Sequence, residues 1–597
     1  MKSGFLKMLL AVLLGLLIGW IVKLVFWGSV IGVMSSSASG TVPVRDNSVL
    51  VIDMSTFVLD EQSASSFGSM NLMSGTAPTV GILDAVTAIY AAADDARIKC
   101  IYLKPDAATS GYAQIQELRA ALEYFRSRGK SVVAYTCSPD NAGYYLATVA
   151  DKLYMTSDHG GNNSLIGVAG RMIFLKDILD KAGVNVQLIR HGKYKSAGEM
   201  YIRNSSSEEN LEQNRRMVTS IWESISVPMA AARGIQVDAL NAMVDSLSLV
   251  LPEDFLSRGL VDGLLDKEGM AGKLVILSGV KDRKDLRLIA FPDYIKAAEP
   301  SRSSRQPKVA VLFANGEIVD GGVSLGGGAV VDGDSYADMI EAIRTDESVK
   351  AVVFRVNSPG GSVLASSKIK NALDRLCETK PVVASYGNYA ASGGYWISNA
   401  CETIFSNATT LTGSIGVFSM IPDFSKTASD LLHVNVTTVG SNAHSDMFSL
   451  MRPFDDVELA AMQTSVDDIY TQFVSLVSKG RGLESEFVDS VAQGRVWTGA
   501  DALEIRLVDH IGTLQDALAY AMDKAGGPTD LGAWNVVQYP APLSLTETLA
   551  AMIGGAPVTP TILGGTPFES LADAFEDFKL KDPKKVYALL PYEVDLK

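Results

Sequence analysis

Ser392 stands in S-Y-G-N-Y-A-A-S-G-G-Y-W-I-S-N (385–399), with two alanines before it and two glycines after it. It follows the strand-like run K-P-V-V-A-S-Y (380–386). Small neighbours let a second backbone approach, which suits a reactive hydroxyl and equally suits tight helix–sheet packing. A serine hydroxyl is a poor nucleophile until a base takes its proton. Histidine is the usual base, and the chain has five: His159, His191, His433, His444 and His510. None lies in T-L-T-G-S-I-G-V-F (410–418), the loop after the Ser392 helix. The other base that works with serine is a neutral lysine. Its unperturbed pKa is about 10.4, so it must be shielded from water. In V-N-V-Q-L-I-R-H-G-K-Y-K-S-A-G-E (184–199) a strand runs into two lysines. Continued alternation would face Lys193 and Lys195 the same way, with Tyr194 opposite. The competing reading makes both lysines solvated loop charges. N-S-P-G-G-S (357–362) offers the last ingredient. Gly360 and Gly361 have no side chains, so their amides can turn toward a developing oxyanion.

The elements that must position these groups occur twice. D-D-A-R-I-K-C-I-Y-L-K (94–104) resembles D-E-S-V-K-A-V-V-F-R (346–355), and R-G-K-S-V-V-A-Y (128–135) resembles E-T-K-P-V-V-A-S-Y (378–386). I-G-V-A (166–169) echoes I-G-V-F (415–418), and G-V-N-V (183–186) echoes H-V-N-V (433–436). The offset stays near 250 residues, too long for a solenoid, so the chain reads as one duplicated domain. The link between copies is A-A-E-P-S-R-S-S-R-Q-P (297–307), polar and bounded by proline. Strands at 308–314, 349–356 and 381–386 alternate with helices at 335–344 and 367–376, which predicts an α/β fold with parallel crossovers. Longer helices follow at 208–229 and 458–477, as packing or oligomer arms. Ligands of open parallel sheets bind beyond the C-terminal strand ends, where the loops 357–362 and 389–394 fall.

The copies differ where chemistry is expected. At an offset of 251, Ser392 meets Asn141, and Gly360 and Gly361 meet Thr109 and Ser110. Lys195 in turn meets Ser445 at the local offset of 250. The copy with the serine lacks the lysine, and the reverse. One site completed from two halves is the simplest account.

Net charge is −15 and no basic block stands out, which argues against nucleic acid as a partner. The first residues differ from the rest. Lys2 and Lys7 precede a largely apolar run over 8–34, interrupted by Lys23. A membrane span needs about 20 apolar residues, and S-S-S-A-S-G (35–40) is a poor cleavage site. An uncleaved transmembrane anchor over 1–34 is expected, with the N-terminus cytoplasmic. Four cysteines with no C-x-x-C pair make a zinc site improbable and read as small buried hydrophobes.

G-K-Y-K-S-A (192–197), N-S-P-G-G-S (357–362), A-A-S-G-G-Y-W-I-S (390–398), L-T-G-S-I-G-V-F (411–418) and G-R-V-W-T-G (494–499), in this order, resemble the signal peptide peptidase A (protease IV) family in its long, membrane-anchored, tandem-repeat form. The resemblance implies two tandem ClpP/crotonase-like α/β domains after an N-terminal transmembrane helix. The expected divisions are anchor 1–34, lysine-bearing repeat 35–300, serine-bearing repeat 301–537 and tail 538–597. It implies Ser392 as nucleophile, Lys195 as general base, Ser414 as a serine that hydrogen-bonds the lysine, and Gly360 and Gly361 as the oxyanion loop. It further implies a Ser/Lys-dyad endopeptidase that degrades cleaved signal peptides and other short or unfolded peptides. Such an enzyme works as a homotetramer on the inner membrane with its body in the periplasm, and no cofactor or metal is expected. Arg506 departs from the family, which usually has glycine there, and residues 60–80 match nothing in it. The glycine-rich G-G-V-S-L-G-G-G (321–328) lacks a following G-K-[ST] and reads as a surface loop. The alternatives are a crotonase-like acyl-CoA enzyme, which needs no nucleophilic serine, and a non-catalytic membrane scaffold.

Overall fold

The computed structural model describes residues 42–62, 78–298, 306–321, 329–541 and 584–590. The expected anchor at 1–34 lies outside the described residues, as do most of the linker 297–307, of the loop 321–328, of the stretch 60–80 and of the tail beyond 541. Among the described residues no helix is long and apolar enough to cross a membrane.

Two parallel sheets carry the two halves of the chain. The first has the strand order Gly263–Leu265, Lys152–Thr156, Ser131–Thr136, Ile98–Lys104, Ser48–Asp53, Arg287–Ala290. The second repeats that order with His510–Ile511, Thr403–Ser406, Val382–Ala391, Val349–Ser358, Lys308–Asn315 and Asn535–Tyr539. It adds Leu411–Gly413 and Val496–Thr498 beside the upper half of Val382–Ala391. The central strands read as continuous apolar runs because both faces are covered. Val311 and Val353 join a core shared with Leu50, Ile101 and Val132 of the first sheet. Leu312 and Phe354 face the other way, onto Ile340 and Ile369 of the outer helices. The two long helices, Glu208–Arg233 and Asp456–Arg481, are built alike. Ser207 and Asp455 cap their first turns, and left-handed Gly234 and Gly482 end them.

A third sheet ties the halves together. Its order is Val330–Asp332, Glu317–Val319, Gly360–Ser362, Tyr587–Leu589, Val417–Asp423, Asn185–His191. Its last pair joins the first half to the second by seven antiparallel positions, from Val417 opposite His191 to Asp423 opposite Asn185. Its middle strand, Tyr587–Leu589, comes from the tail, which the sequence had left without a role.

The strand Val349–Ser358 of the second sheet carries a buried ion pair between the halves. The Arg355 side chain is fully buried, and its Nε donates to Glu61 Oε2 at 2.7 Å and its Nη1 to Glu117 Oε1 at 2.8 Å. Ser385 Oγ and the Tyr386 carbonyl also accept from Nη1. Glu61 belongs to the stretch that matched no motif. Removing one partner of such a pair leaves an uncompensated charge in a dry site. Arg355→Ala should therefore cost about 3–5 kcal/mol of stability, read as a fall in the denaturant midpoint.

Candidate active site

The site is assembled by register. The strand Asn185–His191 runs antiparallel to Val417–Asp423, with His191 opposite Val417. The chain then turns at Gly192 (φ 103°) and brings Lys195 beside Ser414, Ile415 and Gly416, the residues just ahead of Val417. The strand Val382–Ala391 ends at Ser392, which has φ 54° and ψ −112° before a short helix, Gly393–Ser398. A positive φ at a non-glycine residue is strained and persists only where its surroundings enforce it. Here Ser392 N donates to the Gly413 carbonyl at 2.8 Å, and the Ser392 carbonyl accepts from Trp396 N at 2.8 Å.

Lys195 Nζ lies 2.8 Å from Ser392 Oγ, 3.0 Å from Ser414 Oγ and 3.3 Å from the Ser414 carbonyl. All three residues are fully buried. Among the described residues every hydrogen-bond partner of this amine is a neutral oxygen. Burial alone therefore sets its titration and holds its pKa well below the ordinary lysine range. The amine is thereby able to accept the Ser392 proton.

Lys193 behaves otherwise. It is exposed, with its Nζ 5.0 Å from the centroid of the Tyr194 ring. The expected alternation, with both lysines on one side, is corrected by the turn at 192–194: the strand ends at His191, so period two no longer applies. Lys193 fits the solvated reading and Lys195 does not.

A second layer holds the lysine loop. Arg190 Nη1 donates to the Lys195 carbonyl at 2.6 Å and to buried Glu199 at 3.1 Å. Gln213 Nε2 donates to the Tyr194 carbonyl and to Ser196 Oγ, both at 3.1 Å, and Gln213 Oε1 accepts from Val496 N at 3.2 Å. Gly494 is the residue that sequence reasoning quoted in a motif but gave no task. A Cβ there would sit 2.5 Å from Lys195 Cβ, and its φ is 77°. Its lack of a side chain lets the lysine lie against the backbone. Arg506, the departure from the family pattern, has φ 63°, which accounts for glycine being the usual choice there.

Gly360 and Gly361 lie against the same corner. Their φ values are 104° and 154°, and a Cβ on Gly361 would collide with the Ile318 carbonyl. The tail strand runs antiparallel to them, with Ala588 opposite Gly361. Leu590 N donates to the Pro359 carbonyl at 2.7 Å, and Val363 N to the Val586 carbonyl at 3.3 Å. The alternation of an antiparallel ladder makes Gly361 and Ala588 the hydrogen-bonded pair between them. The Ala588 carbonyl oxygen lies beside Gly360 and Gly393; a Cβ on Gly393 would be 3.0 Å from it. Ala588 is fully buried. A length of extended peptide thus lies across the corner where Ser392, Lys195 and the glycine pair meet.

The matching corner of the first half is closed. Asn141, at the position of Ser392, donates to the Gly167 carbonyl at 2.9 Å and accepts from Ile166 N and Gly167 N. Ser110, at the position of Gly361, accepts from Leu59 N at 2.8 Å. The four cysteines are free thiols; Cys100 and Cys401 are buried as expected, whereas Cys137 is exposed and Cys377 half-buried.

A hydroxyl in a strained turn, a dry amine against it and a glycine pair facing a peptide carbonyl are the parts of a serine peptidase. Peptidase family S49 matches residues 124–281 and again 374–527. The chain is 34% identical over 458 residues to Protease 4 of Haemophilus influenzae, covering 74% of this chain and 72% of that protein. It is 34% identical over 485 residues to Protease 4 of Salmonella typhi, covering 79% and 76%. It is 30% identical over 442 residues to the chloroplastic serine protease SPPA of Arabidopsis thaliana, covering 73% and 64%. The chain belongs to peptidase family S49, and it is a serine endopeptidase.

A base must be neutral to accept a proton, so kcat/KM should rise with pH through one ionisation centred well below the ordinary lysine pKa. A flat pH–rate profile into mildly acidic solution would contradict this. The same burial has a cost in stability. The unfolded chain carries Lys195 charged up to about pH 10.4, and the folded chain loses that charge at lower pH, so the lysine opposes folding below that value. Lys195→Met should abolish activity yet raise the thermal midpoint at neutral pH, with a gain that shrinks as pH nears 10.4.

Proposed function

We propose that the protein is a Ser/Lys-dyad peptidase with Ser392 as nucleophile and Lys195 as general base. The observation that carries this reading is the 2.8 Å contact between a fully buried amine and a fully buried serine hydroxyl. A peptide lies extended against Gly360–Ser362, along the path the tail strand takes, through backbone pairing. Lys195 takes the Ser392 proton as Oγ attacks the scissile carbonyl. The amides of Gly360 and Gly361 receive the oxyanion, an interaction worth about 3–4 kcal/mol per donor in serine hydrolases. Ser414 holds the amine in line. Lys195 then hands its proton to the leaving amine, and a water deprotonated by the same lysine releases the acyl group from Ser392.

The substrates are cleaved signal peptides and other short or unfolded peptides, which can adopt the extended form this groove requires. Residues 1–34 anchor the chain in the inner membrane, with the body (repeats 35–300 and 301–537, of ClpP/crotonase type) on the periplasmic side. The chain works as a homotetramer. The matched strand order of the two parallel sheets supports the tandem arrangement, and the apolar run at 8–34 supports the anchor.

Ser392→Ala should lower casein or peptide cleavage by about 10⁴-fold or more with unchanged circular dichroism, and a serine-directed acylating probe should label the wild type alone. Full activity in this variant would remove the assignment. Lys193→Ala should stay near wild-type rates; if it proves as damaging as Lys195→Ala, the base is misassigned. A chain ending at residue 583 should show a lower KM for peptides, and a synthetic peptide of sequence K-K-V-Y-A-L-L (584–590) should inhibit it competitively. Unchanged KM and no inhibition would mean that substrate lies elsewhere.

A further inference from the structure

Residues 493–495 are wedged between the two loops that build the site. On one side the Gln493 carbonyl accepts from Tyr194 N at 2.9 Å. On the other, Gly494 N donates to the Ile415 carbonyl at 2.8 Å, and the Arg495 carbonyl accepts from Ser414 N at 2.7 Å. This short segment therefore touches the lysine loop and the serine loop at once. Gly494 lies against the Lys195 backbone and Cβ, so main chain covers the root of the lysine. Past Gly494 the cover is made of side chains.

Arg495 is the centre of that cover. Its guanidinium packs over the Tyr194 ring of the first half, 4.7 Å from the centroid, and over the Trp497 ring of the second half at 4.4 Å. Its Nη1 lies 3.0 Å from Glu212 Oε1, and Tyr194 Oη donates to Glu212 Oε2 at 2.9 Å. Trp497 is held in turn by its Nε1, which donates to the Val491 carbonyl at 2.9 Å. Exposure climbs across this stack, from 0% at Lys195 and 8% at Tyr194 to side-chain values of 17% at Arg495 and 54% at Glu212. The stack thus stands between the lysine loop and solvent. A planar guanidinium can lie flat on two rings and still bind a carboxylate, which a compact ammonium cannot. The other charged groups around this loop have partners of their own. Arg190 is bonded to the Lys195 carbonyl and Glu199, Lys193 lies over the Tyr194 ring, Asp467 is bonded to His191, and Asp489 to Tyr470 and Gln493. Among the described residues none of them hydrogen-bonds Lys195 Nζ.

We propose that Arg495 is a positioning residue of the dyad: by locking Tyr194 to Trp497 across the two halves, it seals the lysine loop against water and keeps the Lys195 amine neutral. This inference rests on the Ser/Lys reading above. Sealing and simple charge effects differ in sign at Glu212. Loss of a nearby carboxylate makes an amine easier to deprotonate, whereas entry of water stabilises the ammonium and makes it harder. They differ again in Arg495→Lys, which keeps the positive charge and loses the flat stack.

The test is the pH dependence of kcat/KM for peptide cleavage by the full chain in detergent. Arg495→Lys and Glu212→Ala should each move the acid limb to higher pH, by about 0.5–1 unit. At neutral pH each should lower kcat/KM about 3–10-fold through kcat, with KM little changed. Above the shifted limb both should regain wild-type rates. Glu212 is exposed, so its variant keeps the test open should a change at Arg495 disturb folding. A limb that stays at its wild-type pH or moves down in Glu212→Ala would overturn the seal, as would rates lowered equally at every pH. A wild type without an acid limb, or Lys195→Ala with full activity, would instead remove the base assignment on which this inference stands.

Discussion

An amine with no cation beside it can serve as a base near neutral pH only if water is kept from it, and the surroundings of Lys195 meet that constraint. Among the described residues no carboxylate takes part in its hydrogen bonding; burial holds its pKa down. That burial is achieved where two halves of the chain meet, because the lysine arrives from one half and its serine from the other. The seven-position pairing of Asn185–His191 with Val417–Asp423 fixes how far past His191 the lysine must turn to reach Ser414. A shift of that register by one residue would invert the facing of every side chain along it. The polar layer of Arg190, Glu199 and Gln213 holds the turn without placing a charge on the amine itself.

The duplication explains why the site is single. In the first half the place of Ser392 is taken by Asn141, whose amide spans the loop at Gly167 with both its donor and its acceptor. In the second half the Ser392 hydroxyl lies 3.4 Å from the Gly416 carbonyl, at the corresponding loop. The same corner of the same fold is therefore tied through an asparagine amide in one copy and carries, in the other, the hydroxyl proposed as the nucleophile. The copies keep one strand order and differ at the positions of the serine, the glycine pair and the lysine.

Much of this was legible in the sequence. The α/β alternation was readable because central strands such as Lys308–Asn315 are apolar on both faces and are broken by helices of clear period. Ser392, Gly360, Gly361 and Lys195 could be nominated because each is missing from the other copy. Alternation could not separate Lys193 from Lys195, since the chain leaves the strand at His191 and a turn has no period. Gly494 was invisible in role because its meaning is a close approach by a residue 299 positions away. Glu61 and the strand Tyr587–Leu589 were missed for a related reason: their partners, Arg355 and Gly360–Ser362, are distant in sequence and carry no local signal.

On the proposed dyad the base is an amine, and that would decide which reagents the centre notices. Chloroketone inhibitors of triad peptidases work by alkylating the imidazole beside the serine. Here the imidazole of His191 is engaged with Asp467 and stacked on Tyr470, and among the described residues the Ser392 hydroxyl is hydrogen-bonded to Lys195 and the Gly416 carbonyl. On the proposed mechanism such compounds would meet no imidazole at the serine, and an inhibitor would instead form its bond with the serine oxygen beside an uncharged, tightly enclosed nitrogen.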